Sequence, residues 1–182
     1  PKVTGGFSST LSWKGISLYA RFDYALGHTL YNDLAARTLG QYQGAFNIIT
    51  EVKDMWSEDN PNSDLPAFYY ADQLAKKNIT RSNNASASRH NNSSRLYEKA
   101  DYLALRELTL SWDLPKAWTS KAFIQNASVY VTGQNLFYVT GYTGTSPEPV
   151  LTNSDNNENL YGVDQGRYPT PRTVLFGLSV TF

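Results

Sequence analysis

Five stretches of the chain alternate apolar and polar residues one by one, and the last, TPRTVLFGLSVTF, does so to the end of the sequence. Val174, Phe176, Leu178, Val180 and Phe182 fall on one side, with Thr173, Gly177, Ser179 and Thr181 on the other. Leu175 alone is out of phase. Successive side chains of a strand point to opposite faces, so strict period two predicts a strand with one apolar face. Chain ends in soluble domains usually fray. Here the most regular strand comes last and ends on a large aromatic.

The opening segment predicts a hairpin. Phe7, Leu11 and Trp13 share a face of its first strand, and Lys14-Gly15 makes a tight turn. The second strand sets Ile16, Leu18, Ala20, Phe22, Tyr24 and Leu26 against Ser17, Tyr19, Arg21, Asp23 and Gly27. A third sets Leu108, Leu110, Trp112 and Leu114 against Glu107, Thr109, Ser111 and Asp113. Leu103 and Leu105 are out of phase with that set, and a bulge near Arg106 would restore the register. The fourth carries Phe123, Ala127, Val129, Val131, Phe137 and Val139 on one side, interrupted by Asn135. Predicted spans are about 4–14, 16–28, 101–114, 123–140 and 173–182, joined alternately by short turns and by long loops over about 29–100 and 141–172. The first long loop shows helical spacing at Tyr42, Phe46, Ile49, Val52 and Trp56, with Asn32 or Asp33 as its cap.

An antiparallel meander with its long loops at one end is the pattern of outer-membrane barrels. A mean hydropathy of −0.45 does not oppose this, because alternating strands average to mild polarity. No run approaches the roughly 18 to 20 apolar residues of a membrane helix. Lys plus Arg equals Asp plus Glu, 16 each, so no charge excess points to nucleic acid. The absence of cysteine excludes a disulfide scaffold and a thiol nucleophile. Aromatics make up 14% of residues, and Trp13, Trp112, Tyr24 and Tyr138 stand near strand ends, as interfacial girdle residues do. Five strands do not close a wide barrel, and an open edge cannot face lipid. The expected fold is therefore all-β: an antiparallel transmembrane β-barrel segment, about the last five strands of a large barrel, with a helix-containing extracellular loop. The remaining strands are expected upstream of Pro1.

Four ordered motifs carry a family resemblance across nearly the whole chain: WSEDNPNSDLPAF, RLYEKADYLALRELTLSWDLPK, VYVTGQNLFYVTGYTG followed by SPEP, and YPTPRTVLFGLSVTF. They resemble the closing portion of a SusC/RagA-type TonB-dependent transporter, a class of outer-membrane nutrient importers of Bacteroidota. Ser146 departs from the pattern, where Asp more often precedes Pro-Glu. The resemblance implies a 22-stranded barrel filled by an N-terminal plug, with TonB acting through that plug, which these residues do not include. It implies a SusD-like surface lipoprotein as partner and import of glycan or peptide oligomers. It also implies that Val174, Phe176, Leu178, Val180 and Phe182 form the signal read by the barrel-assembly machinery. No cofactor is implied.

Candidate site residues follow from the strand phase and the loops. Arg21, Asp23 and Glu107 are expected to face the lumen, where they would pair across strands or meet plug or substrate. Tyr42, Trp56, Phe68, Tyr69, Tyr70, Tyr142 and Tyr161 are the loop aromatics available to stack on a substrate or dock a partner. Asp155, Glu158 and Asp164 carry oxygens suited to calcium, but their irregular spacing favours a solvated loop. His28 and His90 are far apart and match no HExxH pattern. There is no GxSxG, no P-loop and no motif placing paired carboxylates, so no enzyme is expected. Two rivals remain: a soluble β-rich glycan-binding module and a passive porin-type barrel.

Overall fold

The computed structural model describes residues 1–41, 47–67, 94–148, 151–154 and 157–182. They divide into two compact units. The first, over Pro1–His28, Ala100–Gly141 and Tyr168–Phe182, is one antiparallel sheet. Its strands are β1 (Val3–Trp13), β2 (Ile16–Leu26), β5 (Tyr102–Asp113), β6 (Asn126–Thr140) and β10 (Thr173–Thr181), in the order β1-β2-β5-β6-β10. The meander expected from the alternation is present, within a few residues at each boundary.

Register makes the two faces continuous across strands. Trp13 pairs Ile16, Ile16 pairs Trp112, Trp112 pairs Val129, and Val129 pairs Leu178. One rung away, Leu11, Leu18, Leu110, Val131 and Phe176 form a second apolar row, and Phe7 stacks on Phe22 at 5.0 Å. Most of these side chains are exposed: Phe176 is 82% accessible, Leu178 65% and Trp13 70%. The opposite face is polar, laced by hydroxyl pairs such as Thr109 to Thr132 at 2.7 Å and Ser12 to Ser17 at 2.8 Å. Leu175, out of phase in the sequence, sits on this face opposite Thr132.

The short turns are as chemically specific as the strands. Lys14 and Gly15 take φ of 46° and 84°, the doubly left-handed pair of a type I′ hairpin, which matches strand twist. Between β5 and β6 runs a four-residue helix α2 (Lys116–Thr119) and a 3₁₀ turn over Ser120–Ala122. Phe123 then adopts a left-handed φ of 56° and β6 starts only at Asn126, so Phe123 is not on the strand face assigned to it from the sequence.

The second unit, over Thr29–Lys99 and Tyr142–Arg167, is built from the two long connections. Far from being plain loop, it holds a three-stranded sheet formed by β3 (Thr29–Asn32), β4 (Tyr97–Lys99) and β9 (Val163–Asp164), with β3 in the middle. It also holds a hairpin of β7 (Leu151–Ser154) and β8 (Asn157–Tyr161). The continuous helix expected from the Tyr42–Trp56 spacing is not found among the described residues. Instead α1 (Asp33–Ala36) passes into a π-helical turn over Arg37–Gln41, and a separate 3₁₀ turn spans Thr50–Asp54. Ile49, at ψ 162°, is extended between them, and its N–H donates back to the Thr38 carbonyl at 3.0 Å. Two adjacent β-branched residues, Ile48 and Ile49, resist helix more than a periodicity count registers. The cap expectation holds, since the Asn32 side chain accepts from the Ala35 N–H.

Candidate functional site

The polar face of the sheet gathers four charges, Arg21, Asp23, Arg106 and Glu107, at one place. A bulge on β5 leaves Arg106 without a rung partner between Leu105 and Glu107. The extra residue puts Arg106 and Glu107 on the same side of the sheet, and so keeps a guanidinium off the apolar face. Arg106 then holds Asp23 through both carboxylate oxygens, at 2.5 and 2.9 Å, and donates to the Tyr138 hydroxyl at 2.8 Å. Its guanidinium also lies 5.3 Å from the centre of the Tyr138 ring. Arg21 and Glu107 form a longer pair at 3.5 Å.

Of the three charges expected to associate, Arg21 and Glu107 do meet, while Asp23 turns to Arg106. The sequence signal for that pair was the register break. Tyr138, read from the sequence as a girdle aromatic, points instead to the polar face and packs on the small cluster of Ala25, Tyr102 and Ala104. Facing follows register here, and Tyr138 pairs Ala104 in the polar row. The same bulge region sets Asn135 at a φ of 53°, which accounts for its interruption of β6.

In the second unit two carboxylates grip the segment 142–145. Asp164 accepts from the Tyr142 hydroxyl at 2.9 Å, from the Thr145 N–H at 3.2 Å and from the Gly166 N–H at 2.9 Å. Glu98 accepts from the Thr143 N–H at 3.0 Å, the Thr143 hydroxyl at 2.8 Å and the Asn32 amide at 3.0 Å. Burial and then the bond to Asp164 hold the Tyr142 phenol well above its ordinary range. Tyr142 is only 7% exposed, so its ring is packed into the loop rather than offered for stacking. Trp56 keeps substantial exposure.

Tyr42, Phe68, Tyr69 and Tyr70 lie outside the described residues, and Tyr161 is placed in β8 by its backbone alone. Asp155 and His90 also lie outside them. Asp164, one of the three possible calcium ligands, spends its oxygens on Tyr142, Thr145 and Gly166. No cluster of three metal-ligating side chains occurs among the described residues. His28 is buried edge-on to Tyr102 at 6.3 Å, with Nδ1 3.8 Å from Asp101. At the position where Asp was expected, Ser146 accepts from the Glu148 N–H through its hydroxyl at 3.3 Å, closing the turn a carboxylate would close. Among the described residues no helix is long and apolar enough to cross a membrane, which says nothing of crossing by strands.

No family model matches the chain. TonB-dependent receptor P3 of Formosa agariphila is 31% identical over 185 residues, covering 100% of this chain and 16% of the relative. TonB-dependent receptor P26 of the same organism is 30% identical over 183 residues, covering 100% and 17%. A solved structure of the RagAB peptide transporter superposes with a TM-score of 0.71 at 28% identity, over 98% of this chain and 17% of that one. The chain is homologous to SusC/RagA-type TonB-dependent receptors. The RagAB peptide importer in its closed-closed state gives 0.69 over the same share. The chain thus spans 16–17% of the length of the two Formosa receptors.

Proposed function

We propose that the five-stranded sheet is a stretch of wall, C-terminal in position, of an outer-membrane barrel in a TonB-dependent importer of oligomeric nutrients. One observation carries this reading. A continuous field of apolar side chains, most of them exposed, runs across all five strands, while Arg21, Asp23, Arg106 and Glu107 of β2 and β5 pair on the other face. A patch of that extent on a soluble monomer would be an aggregation liability. Against hydrocarbon it is the expected surface, and a Lys or Arg placed there near the midplane costs about 2 to 4 kcal/mol. Both edge strands, β1 and β10, have a free side within the sheet, and further strands would continue the wall.

In this reading the polar face, with Arg21, Asp23, Glu107 and Arg106, lines the lumen. Val174, Phe176, Leu178, Val180 and Phe182 face lipid and form the assembly signal. The second unit is extracellular and meets a SusD-like surface lipoprotein, while TonB acts through a plug elsewhere in the protein. The structural relatives are named as peptide transporters, which makes peptide oligomers the first substrate class to try, with glycans the other. The wall itself performs no chemistry.

The test is a blot of fractionated cells with an antibody against residues 60–92, boiled and unboiled samples side by side. The expected result is an outer-membrane band well above 20.4 kDa whose mobility changes on boiling. A soluble band that ignores boiling would overturn the reading in favour of a binding module.

A further inference from the structure

At its turn end the sheet carries more than a row of aromatics. Trp13, Ile16 and Trp112 stand in register across three strands, on the apolar face. Trp118 belongs to no strand. It projects from α2, is 61% exposed, and meets Trp112 edge-on at 5.9 Å and 82°. The Lys14 ammonium lies 4.7 Å from the centre of the Trp13 ring. The backbone of Lys14 belongs to the hairpin turn, whose Gly15 carbonyl accepts from the Asp113 N–H at 2.8 Å. An apolar surface thus ends in indoles and is topped at its border by a cation. Indoles favour a boundary between apolar and wet surroundings. An ammonium next to such a boundary attracts anionic headgroups.

We propose that this corner, built by Trp13, Lys14, Ile16, Trp112 and Trp118, seats a phospholipid. Its phosphate lies on the Lys14 ammonium, and its acyl chains run along the Trp13–Ile16–Trp112 row and the Leu11–Leu18–Leu110 row beyond. Trp118, standing off the sheet, forms one side of the seat. The inference rests on the membrane-wall reading above and adds to it a discrete lipid site at one end of the wall.

The full-length protein, reconstituted in nanodiscs of phosphatidylethanolamine and phosphatidylglycerol and returned to mild detergent, is weighed by native mass spectrometry to count retained phosphatidylglycerol. Lys14→Gln is expected to lower retention of one phosphatidylglycerol about fivefold, the effect of one lysine at an anionic surface. Trp118→Leu, outside the strands, is expected to lower it as well, and it stands in if Lys14→Gln assembles poorly. Unchanged retention in an assembled variant overturns the lipid seat and leaves the wall reading intact. A wild-type protein that enters no bilayer overturns both. Loss of phosphatidylethanolamine and phosphatidylglycerol alike would still support the seat, since both offer a phosphodiester.

Discussion

Arg106 shows how one residue is reconciled with a face that does not admit it. Simple alternation from Leu108 back through β5 would send its guanidinium outward, where it would meet no partner. The bulge turns it inward, onto Asp23 and Tyr138. The Arg106–Asp23 pair is only partly exposed, with side chains at 19% and 35%, so breaking it strands a charge in a half-dry place. In a double-mutant cycle, Asp23→Asn and Arg106→Gln each lower the temperature at which the folded band converts on heating. The double variant loses less than their sum, with a coupling of about 1 to 2 kcal/mol. Strict additivity would mean that the two side chains do not interact. Tyr142 gives a prediction of a different kind. Its raised phenol pKa means that the fold favours the neutral hydroxyl. The stabilisation is therefore complete below the ordinary phenol value of about 10 and is lost as pH rises through and beyond it. The protection of the Thr145 and Gly166 amides, which donate to the same Asp164, measured relative to the intrinsic base-catalysed exchange rate at each pH, should fall above that pH. Tyr142→Phe should flatten this dependence, and an unchanged pH profile would contradict the assignment.

At the scale of the strand, facing is the quantity that matters, and β10 allows a neighbour-by-neighbour test. Leu178 lies on the apolar row with Val129, and Ser179 on the polar row with Ser128. Leu178→Arg is expected to cost about 2 to 4 kcal/mol in the bilayer and to cut the amount of assembled protein sharply. Ser179→Arg should leave it near the wild-type level. Equal outer-membrane levels of the two variants would overturn the assigned facing. The same elements show what alternation can and cannot disclose. The five strands, the Lys14-Gly15 turn and the Arg106 bulge were legible because each is a local pattern: a period of two, a turn dipeptide, a break of phase. The three-stranded sheet of the second unit was not legible. Its β3, β4 and β9 are two to four residues long, too short to show a period, and they pair across more than 60 residues of sequence. The helix expected around Ile49 failed because a spacing of three and four was counted without the cost of paired β-branched residues. The Asp164 and Glu98 hydrogen bonds join segments whose nearness no spacing reveals, although their residue types, Asp and Glu with Thr and Tyr, are those that satisfy one another when buried.

For the whole molecule, the connectivity of the sheet makes a claim about sidedness. The β1–β2 and β5–β6 connections are short and leave one end of the sheet, at Lys14-Gly15 and at α2. The β2–β5 and β6–β10 connections leave the other end and build the second unit. In an antiparallel barrel, long loops face the outside of the cell and short turns the periplasm. These residues contain no cysteine, so a single introduced thiol reports its own side wherever the rest of the protein adds none. Asn62→Cys in the second unit and Ser120→Cys in the short turn are both at exposed positions. A membrane-impermeant maleimide applied to intact cells should label Asn62→Cys at once. It should reach Ser120→Cys only after the outer membrane is permeabilised. Labelling of both on intact cells would place both ends of the sheet in the same compartment, which no membrane-spanning wall permits. Labelling of Ser120→Cys alone would keep the wall and invert it, turning the second unit toward the periplasm and removing a surface lipoprotein from its reach. The expected pattern puts the exposed Trp56 and the rest of the second unit where an extracellular partner can meet them, and puts the Lys14 corner against the inner leaflet, where phospholipid is the available neighbour.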